Sequence, residues 1–318
     1  MPAKKRYGKY MTQPAIDNSP LIKKIRQLKE KRNAVILAHN YQRDEVQAIA
    51  DFTGDSLALS RTAAKTTAEV IVFCGVHFMA ETASILSPHK TVLMPDPDAG
   101  CPMADMITAD ELRELKKQHP KAVVVTYVNS SAEVKAETDI CCTSSNAVKV
   151  IESLKDAEEI ICVPDKYLGA YISKKTGRNL ILWHGYCPTH VRIQPEDIQR
   201  QKLAHPTAKV VAHPECTPAV LDFADAVLST EGICQYAKAS DAEEIIFATE
   251  IGVLYRLKKE NQGKTFHPAS DAASCPNMKK TTLEKILWSL EGMVTEVRVP
   301  EDIRQRARKA VERMVDIA

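Results

Sequence analysis

Along the chain the apolar residues fall in short unbroken runs, each followed by a longer stretch of helical periodicity. The runs at 34–37, 70–73, 91–94, 122–125, 160–163, 180–183, 209–211 and 244–248 show little polar alternation. Unbroken runs of this length predict strands buried on both faces. Ten or so residues of helical pattern follow, for example at 56–67, 146–154 and 251–260. Alternation of this kind predicts βαβ units with parallel sheets covered by helices. Amphipathic helices flank the array. One, at 21–32, carries Leu21, Ile25 and Leu28 on a stripe, a second carries Leu283, Ile286, Leu287 and Leu290, and a last one Ile303, Ala307, Ala310, Val311, Met314 and Val315.

The pattern repeats. Three opening runs end at His39, Tyr127 and His213, offset by 88 and 86 residues. Asp51, Asp139 and Asp225 each stand five residues before a hydroxyl residue, Ser56, Ser144 and Thr230, at the same offsets. His119-Pro120 and His205-Pro206 precede the second and third opening runs. Three Cys-Pro dipeptides, Cys101-Pro102, Cys187-Pro188 and Cys275-Pro276, are spaced by 86 and 88 residues, where composition alone predicts about half of one. Self-similarity at a long fixed period marks a repeated structural unit. The fold expected is therefore α/β, in three repeats of about four strands at 33–106, 107–194 and 195–280. A tail and helix at 1–32 and C-terminal helices at 281–318 complete it.

Composition narrows the function. At 318 residues, length alone suggests about two domains, which the repeat revises to three small ones. A net charge of +2 with interspersed signs gives no strong field for nucleic acid or membrane, the basic Lys4, Lys5 and Arg6 reading as a solvated end. Residues 1–20 lack an apolar h-region and no run approaches the ~18 apolar residues of a membrane span, so the expected location is cytoplasmic. Nine cysteines in such a chain should be reduced thiols. Cys74, Cys141, Cys142, Cys162, Cys216 and Cys234 read as small hydrophobes. Cys101, Cys187 and Cys275 differ in lying past strand ends in turn sequence.

Parallel α/β sheets bind ligands beyond the carboxyl ends of their strands. If three such sheets point those ends at one axis, the repeated polar residues share a single site. Three thiolates from distant segments suit a [4Fe-4S] cluster with one iron left open, a Lewis acid for a substrate oxygen. The competing reading is zinc on the three thiols plus His190, although structural zinc usually takes local Cys pairs. Ser56, Ser144 and Thr230 each open an expected helix, where free N–H groups and the dipole favour a carboxylate or phosphate. Any one of them alone reads as an N-cap. Asp51, Asp139 and Asp225 read as structural. Glu215 is taken as the only acid among the inward strand-end residues and so as the general acid/base, with Tyr41, Tyr127, His39 and His213 beside it. The repeat favours His39 and His213 over His77, His89, His119, His184, His205 and His267. Neither a Gly-x-Gly-x-x-Gly nor a P-loop is present, which removes support for dinucleotide binding and nucleotide hydrolysis.

Taken in order, Ala38-His39-Asn40-Tyr41-Gln42, Gly54-Asp55-Ser56, Asp98 to Ala104 around Cys101-Pro102, Tyr127-Val128-Asn129, Cys187-Pro188-Thr189-His190, His213-Pro214-Glu215-Cys216, Ser229-Thr230-Glu231-Gly232 and Cys275-Pro276-Asn277-Met278 resemble the quinolinate synthase family. The resemblance implies three homologous three-layer α/β/α domains in pseudo-threefold order around a central active site. It implies a transferase of de novo NAD biosynthesis that condenses iminoaspartate with dihydroxyacetone phosphate to quinolinate, phosphate and water. L-aspartate oxidase or aspartate dehydrogenase would be the upstream pathway neighbour. It implies a [4Fe-4S] cluster on Cys101, Cys187 and Cys275. Substrate contacts fall to His39, Ser56, Tyr127, Val128, Asn129, Ser144, His213, Pro214, Glu215 and Thr230, with Tyr41 in the pocket and His190 and Met278 shaping it. Some relatives carry extra cysteines near the last ligand, and this chain has Cys275 alone there. Two readings stay open beside it: an Fe-S hydro-lyase of other substrate, and a zinc-stabilised or redox-sensing non-enzyme.

Overall fold

The computed structural model describes residues 20–317. The basic start at Lys4, Lys5 and Arg6 lies outside the described residues. Twelve strands form three separate four-stranded parallel sheets. The first holds β1 (Ala34–His39), β2 (Phe52–Gly54), β3 (Val70–Cys74) and β4 (Thr91–Leu93). The second holds β5 (Val123–Tyr127), β6 (Ile140–Cys142), β7 (Ile160–Val163) and β8 (Ile181–Leu182). The third holds β9 (Lys209–Ala212), β10 (Ala226–Val227), β11 (Glu244–Ala248) and β12 (Thr265–Pro268). All three have the same spatial order, with the opening strand between the second and third and the fourth outside the third. The central runs are the buried ones, since every residue of β3 and β7 is shielded from solvent on both faces. That double burial explains why they carry no alternation.

The repeated aspartates prove structural. The carboxylates of Asp51, Asp139 and Asp225 accept the N–H of Ile36, Val124 and Val210, each at 2.8 Å. Their own N–H groups return to the carbonyls of the same three residues. Each aspartate thus staples the start of the second strand to the opening strand before the parallel ladder begins. Asp139→Ala removes such an acceptor and leaves the Val124 N–H unpaired. We expect a loss of about 1–3 kcal/mol of stability, read as a lowered urea midpoint with an unchanged m-value.

The flanking helices tie the repeats together. Pro20–Lys31 packs against Leu283–Gly292 over the outer face of the first sheet, burying Ile22 and Ile25 with Ile286 and Leu290. The final helix, Glu301–Asp316, lies against His77–Leu86 of the first repeat and against Ala132–Ala136 and β6 of the second. Arg61 of the first repeat donates to the Val315 carbonyl at 2.7 Å, and Asn146 of the second donates to that of Met314 at 2.9 Å. One helix end is therefore held by two repeats.

Candidate active site

The carboxyl ends of the opening strands deliver their side chains to one cavity of about 160 Å³, well above the about 10–15 Å³ that one water requires. From the first repeat it takes His39, Tyr41 and Ser56, from the second Tyr127, Asn129 and Ser144, and from the third His213, Glu215 and Thr230. Cys101, Cys187 and Cys275 complete the wall, each from its own Cys-Pro turn. Val128 and Pro214 are buried but are not among the lining residues.

The hydroxyl residues free themselves for a ligand because other residues do the capping. Ser56 and Thr230 are the first residues of Ser56–Lys65 and Thr230–Ala239, but the caps are Asp55 and Ser229, whose side chains accept the N–H of Ala58 and Gly232. Two helix N-termini thus meet the cavity, favourable for an anion. Ser144 departs from expectation. It sits in a turn, and the helix Ala147–Ser153 starts after the N-cap Asn146. Ser145, which the repeat did not single out, bridges the two caps of the other repeats, donating to Asp55 and lying 2.9 Å from Ser229.

His39 and His213 share a local device. The Nδ1 of each accepts the N–H two residues on, from Tyr41 at 3.2 Å and Glu215 at 3.3 Å. An accepting Nδ1 leaves the proton on Nε2. His213 presents that nitrogen to the Ser144 hydroxyl at 3.2 Å. Burial lowers both imidazoles to about 3, so they are neutral donors at pH 7.

Glu215 is the hub. Burial would raise its carboxyl, but His190 and His213 beside it win and hold it well below the usual carboxylate range. Its Oε2 lies 2.7 Å from His190 Nδ1. His190 Nε2 lies 2.9 Å from the Thr249 hydroxyl, which is 2.8 Å from the Tyr41 phenol, itself 2.7 Å from the Thr230 hydroxyl. Four hydrogen bonds therefore connect Glu215 to Thr230 through groups that each donate and accept. The Tyr41 phenol is pushed up, by burial first and then by Glu215, and so keeps its proton. Glu215 Oε1 and Asn129 Oδ1 are buried without partners. Two orphaned acceptors facing one cavity call for donors on the ligand.

Glu215 is not the only acid at these strand ends, contrary to the expectation from sequence. Glu250, just past β11, is fully buried and lines the cavity. It accepts the N–H of Cys275 at 2.9 Å and of Gly252 at 2.7 Å and pairs with Lys279, so it fixes the loop of the third thiol. Asp165, past β7, caps the following helix and is likewise buried. The sequence signal for Thr249 and Glu250 is weak, because the residues in register after β3 and β7 are Gly75, Val76, Pro164 and Asp165. A carboxylate recurs in two of the three repeats, as Asp165 and Glu250, and nothing polar aligns with Thr249.

The thiols bear on the readings that stand beside the cluster. Burial pushes Cys101 up to about 12, and Cys187 upward with a further contribution from Glu215. Redox-sensing cysteines have lowered pKa values, so the upward shifts of Cys101 and Cys187 speak against that role and suit thiols that a bound metal deprotonates. A single zinc with bonds of about 2.3 Å would hold its sulfurs about 3.8 Å apart. The three sulfurs do not gather within 4.8 Å of one another; the close group here is Cys187, His190 and Glu215. Donors of one soft type, spread around one cavity, fit a metal cluster better than a single ion.

Fold and site together define a three-repeat α/β protein in which one cavity brings three thiols together with a buried hydrogen-bonded network and two helix N-termini. The sequence profile of the quinolinate synthetase A protein family matches residues 23–316. The chain belongs to that family. It is 61% identical over 294 residues to a quinolinate synthase of Dehalococcoides mccartyi strain 195, covering 92% of this chain and 97% of that protein. A quinolinate synthase of Geobacter metallireducens is 58% identical over 293 residues, 92% and 96% of the two chains. Quinolinate synthase 1 of Methanosarcina acetivorans is 55% identical over 302 residues, 95% and 99%. The chain is thus an enzyme, of the transferase class, that works on small molecules. No helix among the described residues is long and apolar enough to cross a membrane.

Proposed function

We propose that this chain condenses iminoaspartate with dihydroxyacetone phosphate to give quinolinate, with loss of phosphate and water. The observation that carries the reading is the meeting of three thiols with the Glu215 relay and two helix N-termini in one cavity. Cys101, Cys187 and Cys275 would hold a [4Fe-4S] cluster, whose three-thiolate ligation supplies Lewis acidity toward a substrate oxygen.

The protein residues divide the remaining work. Ser56, Ser144, Thr230 and the neutral His39 offer donors for the two carboxylates of iminoaspartate, and Asn129 Oδ1 offers an acceptor for its imine hydrogen. Carbon–carbon bond formation requires removal of a proton from the carbon next to the imine. Glu215, held as a carboxylate, is the base in place for it. Once protonated, Glu215 is itself the donor for a departing oxygen, while His190, held through Thr249 and Tyr41, keeps its Nδ1–H on the carboxylate. Water loss needs such a donor, and giving up that proton returns Glu215 to its basic form for the next abstraction. Deep burial excludes bulk water that would hydrolyse the imine.

Arg192 lines the same cavity, is exposed, and makes no ion pair among the described residues. An unpaired guanidinium at the rim suits the phosphate of dihydroxyacetone phosphate. Arg192→Ala should raise the KM for that substrate by about 10–100-fold, the worth of a charged hydrogen bond, and leave the KM for iminoaspartate near its original value. Steady-state kinetics varying each substrate in turn check it. The cluster assignment is tested by anaerobic purification with metal analysis: about four irons per chain and a brown colour support it, whereas a colourless zinc protein sinks it.

A further inference from the structure

We propose that His205, Glu244 and His267 form a second metal site, for a first-row divalent cation of the zinc class, on the third repeat away from the active-site cavity. Glu244 opens β11, while Glu250, just past the other end of that strand, lines the cavity. His205 caps the C-terminus of the helix Pro195–Ala204, and His267 lies in β12. The helix end and two adjacent strands thus bring three ligating side chains together, all within 4.8 Å of one another.

The distances suit an ion. His205 Nδ1 is 3.0 Å and His267 Nε2 3.3 Å from the same oxygen, Glu244 Oε2. A tetrahedral zinc with bonds of about 2.0–2.1 Å sets neighbouring ligand atoms about 3.3 Å apart. His267 Nε2 is buried and makes no hydrogen bond of good geometry despite that oxygen. Two imidazoles and a carboxylate are the donors that divalent zinc-class ions favour, with water free to complete the shell.

The chain's own repeats show that packing does not demand this histidine. Ile36, Val124 and Val210 hold equivalent places, each bonded by its aspartate staple. Across the sheets they align with Val72, Ile161 and Ile246, and these with Leu93, Ile181 and His267. Where the first two repeats keep an aliphatic side chain, the third has an imidazole. The second repeat retains the other two ligand types, His119 lying 3.5 Å from Glu159, but offers Ile181 as the third. It therefore has two ligands where the third repeat has three. His205 and His267 stack with ring centroids 3.5 Å apart, so taking up an ion requires the two rings to splay until both nitrogens face it.

The test is equilibrium dialysis of the intact, iron-loaded protein against Zn²⁺ under anaerobic conditions, with zinc and iron measured per chain. Wild type should hold one zinc more than His267→Ile, which installs the residue of the second repeat. Outer-shell partners alone are worth about 10–100-fold in metal affinity, so loss of a direct ligand should weaken binding by on the order of 100-fold. Glu244→Gln should behave alike. Zinc should raise the melting temperature of wild type and not of either variant, while the iron content of all three stays the same. Equal zinc in wild type and His267→Ile, or equal stabilisation by zinc, would overturn the proposal.

Discussion

Cys187→Ala should yield a folded protein without its iron and without measurable quinolinate formation. The thiol is half-shielded in the chain but faces the cavity, and its sulfur lies 3.1 Å from His190 Nδ1. Each repeat contributes one thiol to the cavity wall, and no neighbouring cysteine can replace it: Cys74, Cys141, Cys142, Cys162, Cys216 and Cys234 are all buried in apolar packing. With two ligands left, the proposed cluster would lose a third of its protein anchors, and activity should fall to background. The fold should survive, because the three sheets are held by their own ladders and by the final helix. Iron analysis, visible absorption and far-ultraviolet circular dichroism on one preparation separate these outcomes. Retained quinolinate formation would refute the ligand assignment.

Glu215→Gln should give the opposite combination, full iron content with turnover reduced by about 10²–10⁴-fold, the usual worth of a positioned acid or base. The amide keeps the volume of the carboxylate in a fully enclosed place. It cannot take a proton at pH 7, and its NH₂ cannot accept from His190 Nδ1 as Oε2 does. The relay then loses its terminal base while Cys101, Cys187 and Cys275 keep their positions. Because the loss is in proton transfer, it should fall on kcat, with the KM for iminoaspartate changing far less. A variant that lost its iron together with its activity would show that Glu215 supports the metal ligands instead.

Much of the cavity's lining was legible because several of its positions recur in all three repeats. His39, Tyr127 and His213 close equivalent strands, and the cysteines close equivalent turns, so a common offset identified them without any contact information. The buried central strands were legible for another reason, their unbroken apolar runs. β10 and β12 were not, since Ala226–Val227 is two residues long and Thr265–Pro268 contains one apolar side chain shielded from solvent, Phe266. Edge strands face solvent, and their pairing is decided by the neighbour. The middle of the relay was hidden too. Thr249 gains its place from Tyr41 of another repeat, 2.8 Å away across a junction that no local pattern encodes. His190 was visible only as a neighbour of Cys187, and its contact with Glu215 needed the three-dimensional arrangement.

The most direct test of the whole account is an anaerobic assay of the iron-loaded protein with iminoaspartate, freshly generated from aspartate, and dihydroxyacetone phosphate, with the products separated by chromatography. Quinolinate and phosphate released in equal amounts, with both absent when dihydroxyacetone phosphate is left out, is the result expected. Full iron loading with no quinolinate formed from the two substrates would contradict the account.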